Sequence, residues 1–215
     1  HAHTYPPNYH PETNNVTPYG IPVVNSIYDQ GFDVQIFEPS DYALSAAKRM
    51  CNYGEKKIIT FTLRKAGYES VRDSRLAEWA KFSGVLTEMG YHVVVIPDQD
   101  DMLSDRTIFE YDWHVADVAS MSLDLRLAIY NLADMNYVTN GGMVGLFMYS
   151  KVPFFWYSVM VEGSHVASAD YYRHQGLEVG KKFKWLGDNQ QMIWKPDDFV
   201  NLMESLASPT LSARA

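Results

Sequence analysis

One cysteine, Cys51, stands in 215 residues, so no disulfide framework can hold this chain, and the usage fits a reducing compartment. No stretch approaches the ~18–20 consecutive apolar residues that a spanning helix needs. The longest apolar run, Val152 to Tyr157 around Pro153, reads as a buried strand. Basic charge is in short supply. Lys and Arg total 18 against 26 Asp and Glu, a net charge of −8, so no overall field draws in nucleic acid or an anionic membrane. Also missing are H-E-x-x-H, G-x-S-x-G and paired C-x-x-C, which argues against zincin, serine-hydrolase and structural-zinc chemistry. No signal peptide, internal repeat or low-complexity tract is visible.

What is present is enough apolar residue, 47%, to build a sizeable core, with 20% charged, which excludes a disordered or fibrous chain. Residues 1–20 carry Pro6, Pro7, Pro11 and Pro18 without periodicity and begin at His1 rather than methionine. They read as an extended arm or a stretch cut from something longer. Asn15-Val16-Thr17 has the form of a glycosylation sequon, a triplet common by chance. Residues 21–207 then read as a single Rossmann-like α/β domain, and 208–215 as a flexible tail.

Within that domain, Val34 to Phe37 is a strand candidate, and Ser40-Asp41 starts a helix that ends before Gly54. Ile58 to Leu63 is apolar on both faces, as in a central strand covered by helices. A long helix is predicted from Ser70 to Met89, with Trp79, Phe82, Leu86 and Met89 as its apolar stripe. His92 to Ile96 forms a second buried strand stopped by Pro97. A helix from Ser122 to Ala133 leads to a strand from Met135 to Thr139, a turn at Asn140-Gly141-Gly142 and a short helix to Tyr149. Pro153 to Tyr157 is another strand. The last helix is predicted to start at Pro196, with Asp197 and Asp198 in its first turn. This alternation predicts an α/β fold, a Rossmann-like parallel sheet with helices on both faces. Ligands of such sheets bind beyond the carboxyl ends of the strands.

Four of the 18 basic residues, Arg64, Lys65, Arg72 and Arg75, fall in twelve positions after Leu63. Guanidinium forks and a helix start suit phosphate oxygens, so Arg64, Lys65, Arg72 and Ser74 are candidates for a diphosphate clamp. The alternative is a solvated loop whose charges pair with nearby acids. Asn140, Gly141 and Gly142 form a second candidate, where small residues let backbone approach an anion, although such turns also occur for steric reasons. The spacing matches neither a P-loop nor a complete G-x-G-x-x-G. After Ile96, Asp98, Asp100 and Asp101 offer carboxylates to a hard cation, or simply form an acidic solvated loop. His92 reads as structural, while His114, His165 and His174 could face a cleft and act as bases. His1, His3 and His10 fall in the arm. Trp185, Trp194, Gln190 and Gln191 either pin the closing helix or stack on a base, with packing favoured.

The run Leu132-Ala133-Asp134-Met135-Asn136-Tyr137-Val138-Thr139-Asn140-Gly141-Gly142, followed by Lys151-Val152-Pro153-Phe154, resembles the donor-binding, C-terminal half of GT-B-type sugar-nucleotide-dependent glycosyltransferases. Thr62-Leu63-Arg64 with Arg72-Asp73-Ser74 and Trp79 is similar to a basic strand-end motif of bacterial members, and Trp185-Leu186-Gly187-Asp188 to their tail. The resemblance covers about residues 56–207. It implies a nucleotide-sugar-binding domain of a cytoplasmic glycosyltransferase, with an unknown glycan or protein acceptor and no cofactor. It also implies a partner lobe, since these enzymes normally have two Rossmann-like domains and 215 residues cannot hold both at usual size. A homo-oligomer would be another partner. The alternatives are a non-catalytic nucleotide-binding or assembly module on the same scaffold, and a transferase dependent on Mg or Mn held by Asp98 and Asp100. No residue is assigned as catalytic base.

Overall fold

A computed structural model describes residues 20–66, 69–99, 102–103 and 106–207. The predicted arm, with His1, His3, His10 and Asn15, lies outside the described residues apart from Gly20, as do the tail 208–215 and Asp100 and Asp101. Six parallel strands form one sheet: β1 (Ile58–Thr62), β2 (His92–Ile96), β3 (His114–Val115), β4 (Met135–Val138), β5 (Phe154–Trp156) and β6 (Gln190–Met192). Their order is β3-β2-β1-β4-β5-β6, so the chain builds outward from β1 on one side and then returns to start the other half at β4. This is the Rossmann order, with its switch point between β1 and β4.

Each strand alternates between two covered faces. Ile58, Val94, Ile96, Val138, Phe154 and Trp156 pack with α2 (Asp41–Met50), α4 (Leu123–Leu132) and α5 (Val144–Met148). Ile59, Phe61, Leu63, Val93, Val95, Tyr137 and Phe155 pack with α3 (Leu76–Glu88) and α7 (Phe199–Glu204). Aromatic rings fill the second face: Phe61 lies 4.8 Å from Trp79, and Phe82 5.3 Å from Tyr137. Such edge-to-face pairs add about 0.5–1.5 kcal/mol each beyond area burial. Two further helices, α1 (Ile21–Asp29) and α6 (Ala169–His174), flank the β4–β6 side, where Asn25 of α1 lies beside Gly176. Among the described residues no helix is long and apolar enough to cross a membrane.

Several boundaries differ from those predicted, each for a local reason. Val34 to Phe37 forms no strand. Phe37 N–H donates to Tyr149 O at 2.8 Å, and the Gln35 side-chain amide donates to Ser150 O and Gln190 Oε1, so the segment is tied down by one backbone bond and one side chain rather than by a ladder. The long helix begins at Leu76 rather than Ser70. Val71 is exposed and Arg72 and Ser74 are buried, so residues 70–75 present no apolar stripe to the sheet. Met89, at the other end, is exposed. α7 begins at Phe199, not Pro196, because the Asp197 carboxylate is buried against Trp79 and Asp198 is the residue that caps Asn201 N. β3, β6 and α6 escape prediction because two to six residues are too few to show a period.

At the amino ends of the strands, His92 Nδ1 meets Cys51 O at 3.1 Å and His92 Nε2 meets His114 Nδ1 at 2.9 Å. A carbonyl only accepts, so Nδ1 of His92 carries its proton and His114 Nδ1 donates to His92 Nε2. Burial, then the nearby His92 ring, holds the His114 pKa below its ordinary 6.5. The unfolded chain therefore takes up a proton near pH 6.5 that the folded chain refuses. Stability is expected to be level above that pH and to decline below it. Urea unfolding from pH 8 to pH 5.5 should show this decline, and the His114→Asn variant should flatten its upper part.

Candidate functional site

The carboxyl end of β1 runs directly into the basic segment. Arg64 N–H donates to Ser74 Oγ at 2.8 Å, and Ser74 N–H returns a bond to Arg64 O at 2.9 Å. Ser74 Oγ also pairs with Thr139 Oγ1 at 2.7 Å, which fastens this loop to the end of β4. Arg64, Arg72, Ser74 and the Asn140–Gly142 turn are thereby gathered at one crevice, between β1 and β4.

The two arginines do not stand free in that crevice. Arg64 is only 3% exposed, and its Nη1 donates to Asp73 Oδ1 at 2.5 Å and to Glu69 O at 3.2 Å. Asp73 Oδ1 also takes the Ala66 N–H at 3.1 Å. Arg72 is 6% exposed; its Nη1 donates to Glu69 Oε2 at 2.6 Å and its Nη2 reaches Asn140 O at 3.4 Å. Its Nε–H is buried and has no partner among the described residues. Lys65, 38% exposed, lies 3.9 Å from Asp73. Glu69 is held ionised: the Arg72 guanidinium, then the His165 amide, keep its carboxyl below the ordinary 4.5. Taken together, Arg64, Lys65, Arg72, Glu69 and Asp73 leave an excess of one positive charge in an acidic protein.

On the β4 side, Asn140 is buried, and its amide donates to Val159 O at 3.0 Å and to the Tyr172 hydroxyl at 3.4 Å. Tyr172 in turn donates to Val159 O at 2.7 Å. The turn is therefore set by Asn140, not by the glycines, neither of which has positive φ. A side chain at Gly141 would meet Arg64 Cδ at 3.7 Å, while Gly142 faces open space. Among the described residues, no protein acceptor takes the N–H groups of Gly141, Gly142 or Met143. Beside the turn opens a pocket of about 230 Å³ lined by Gly141, Gly142, Trp156, Tyr172 and Gln175. The Trp156 indole N–H is buried and has no partner among the described residues.

Other candidates lie elsewhere. Asp98 follows β2, where its Oδ1 accepts the Gln99 N–H at 3.2 Å. Among the described residues no group of three His, Cys, Asp or Glu could hold a metal ion. Gln190 is a strand residue whose amide donates to Ser150 O and Val152 O, and Trp185 and Trp194 bond to Met148 O and Lys181 O. These are packing roles. His165 contributes its backbone N–H to Glu69, and His174 is exposed with Nδ1 on Asp170 O. Sequence reasoning passed over Glu69, Trp156 and Tyr172. Tyr172 and Glu69 carry no motif, and Trp156 was read only as part of a buried strand.

Asp73 neutralises a buried guanidinium, so its loss should be costly. Asp73→Ala is expected to destabilise the fold by about 3 kcal/mol, as for other broken buried pairs. Adding Arg64→Met should recover a large part of that loss, which paired urea unfolding curves will measure.

No protein-family model matches the chain, and no curated protein matches it in sequence. Solved structures do. The E. coli ADP-heptose LPS heptosyltransferase II superposes with a TM-score of 0.56 at 14% identity, covering 83% of this chain and 54% of that one. A glycosyl transferase family 9 protein from Veillonella parvula DSM 2008 gives 0.47 at 15% identity, covering 56% and 36%. The wall teichoic acid polymerase TagF gives 0.44 at 14% identity, covering 88% and 44%. The chain spans about half the length of the heptosyltransferase it matches. In fold, the chain is a Rossmann-like half of the GT-B type.

Proposed function

We propose that the chain is the donor-binding half of a glycosyltransferase, holding a nucleoside diphosphate sugar in the crevice between β1 and β4. The observation that carries this reading is the Arg72 guanidinium, buried at the switch point with an Nε–H that no group among the described residues takes. Beside it lie the N–H groups of Gly141 and Gly142, which can take phosphate oxygens without competing with a protein acceptor. Lys65 adds a charge at the loop. Arg64 and Ser74 keep the loop in place through Asp73 and Thr139, so their part is positioning. The pocket along Trp156 and Tyr172 would receive the base or sugar, with the indole N–H giving one hydrogen bond.

Glycosyl transfer breaks the bond between the anomeric carbon and the diphosphate oxygen, and the electron pair leaves with the diphosphate. Fixed positive groups at that oxygen favour the separation most when the charge is fully developed. Binding and leaving-group stabilisation would be this half's contribution, and the acceptor, a glycan or protein, would meet it across a partner lobe. The single buried Cys51, its thiol pushed up to about 11 by burial, is compatible with the cytoplasmic location that completes the proposal.

A second reading has its own support. Val118, Met121 and Leu123 are exposed after β3 and at the start of α4, at the same end of the sheet, which suits an assembly module with no transfer activity. Calorimetric titration with UDP, GDP and ADP separates the two. The donor-site reading predicts binding of at least one nucleotide. The Arg72→Lys variant keeps the charge but loses the fork, and should weaken that binding about tenfold or more. Absence of binding by all three, or an unchanged affinity in Arg72→Lys, contradicts it.

A further inference from the structure

Glu69 stands between the guanidinium of Arg72 and the loop that joins β5 to α6. Its φ of +48° is a left-handed conformation that a residue with a side chain holds only when its surroundings fix it. Its Oε2 accepts from Arg72 Nη1 at 2.6 Å and from Ser164 Oγ at 3.4 Å, and its Oε1 accepts from His165 N–H at 3.2 Å. The loop so held is closed on itself by Val161 N–H to Ala167 O at 2.9 Å and turns at Gly163, with φ +81°. Val166 of this loop forms part of the pocket beside Gly141. One carboxylate therefore joins Arg72 to the loop whose Val166 lines the pocket.

A guanidinium as buried as that of Arg72 needs a negative partner at all times. Among the described residues, Glu69 is the acid that forms an ion pair with it. A phosphate brought to the free Nε–H would come close to the Glu69 carboxylate, and two anions repel strongly where water is scarce. The Glu69 side chain is 21% exposed, so it can turn to water while Arg72 stays in place. Leaving Arg72 also costs Glu69 its bond to His165, because the same carboxylate makes both.

We propose that Glu69 is a specificity-determining residue, a resident counter-anion that Arg72 exchanges for a pyrophosphate group. A single phosphate replaces it poorly, a pyrophosphate well, and loading the site frees the 161–167 loop. The proposal rests on the reading of the β1–β4 crevice as a diphosphate site.

The test compares the full chain with its Glu69→Gln and Ser164→Ala variants, titrated with sodium pyrophosphate and with inorganic phosphate. Glutamine keeps an oxygen for Arg72 Nη1 and removes the charge. Glu69→Gln is expected to tighten phosphate binding at least tenfold and pyrophosphate binding less, narrowing the preference between them. Ser164→Ala, which loosens the loop without changing charge, should leave both affinities within twofold. In the unaltered protein, pyrophosphate should speed hydrogen exchange at the His165 amide at least fivefold, the reverse of ordinary ligand protection. That measurement needs no variant to fold. Pyrophosphate binding with slowed or unchanged exchange at His165, or with no tightening in Glu69→Gln, overturns the exchange and leaves the diphosphate site standing. If the unaltered protein binds neither pyrophosphate nor any of the three nucleotides, both fall.

Discussion

The hydrogen bond between Ser74 Oγ and Thr139 Oγ1 joins two loops 65 residues apart in the chain, and the candidate site exists because of it. The strand order makes the contact possible. β1 and β4 are neighbours, and the connections that leave them depart to opposite halves of the sheet, so a crevice opens between their carboxyl ends. Ser74 closes the base of that crevice with bonds to the Arg64 backbone on one side and to Thr139 on the other. Arg72 and the Asn140 carbonyl then meet above it.

Burying two guanidinium groups at this place requires counter-charges, and the chain supplies them locally. Asp73 answers Arg64 and Glu69 answers Arg72, each from within nine residues. The two pairs differ in how fully they are made. Asp73 takes Arg64 Nη1 and the Ala66 amide, and it reads as a permanent part of the loop. The Arg72 pair leaves Nε–H without a partner among the described residues and a long contact to Asn140 O, so the guanidinium is neutralised but not satisfied there. An unsatisfied buried donor is costly in a finished structure.

Much of this was legible in the residues. Ile58 to Thr62 announces a central strand because both of its faces are apolar, and it does lie between β2 and β4. The basic residues after Leu63 and the glycines after Asn140 could be placed at strand ends, and the parallel order brings those ends together. Their electrostatic state was not legible. Whether Arg64 faces a ligand or Asp73 depends on the path of a loop that has no period, and the salt bridge forms nine residues along. Asp197 shows the same limit. It suits a helix start by position, yet its carboxylate is taken by the Trp79 indole and the Arg75 amide, contacts 118 and 122 residues away. Trp156 and Tyr172 lie 16 residues apart and meet only through the fold.

The account depends on a diphosphate entering the crevice between β1 and β4, and a crystal structure of the protein soaked with a nucleoside diphosphate tests that most directly. The predicted result places phosphate oxygens within hydrogen-bond distance of Arg72 Nε and the backbone N–H groups of Gly141 or Gly142. A nucleotide bound at the amino ends of the strands beside His92 and His114, or anywhere else on the surface with the crevice unchanged, would contradict it.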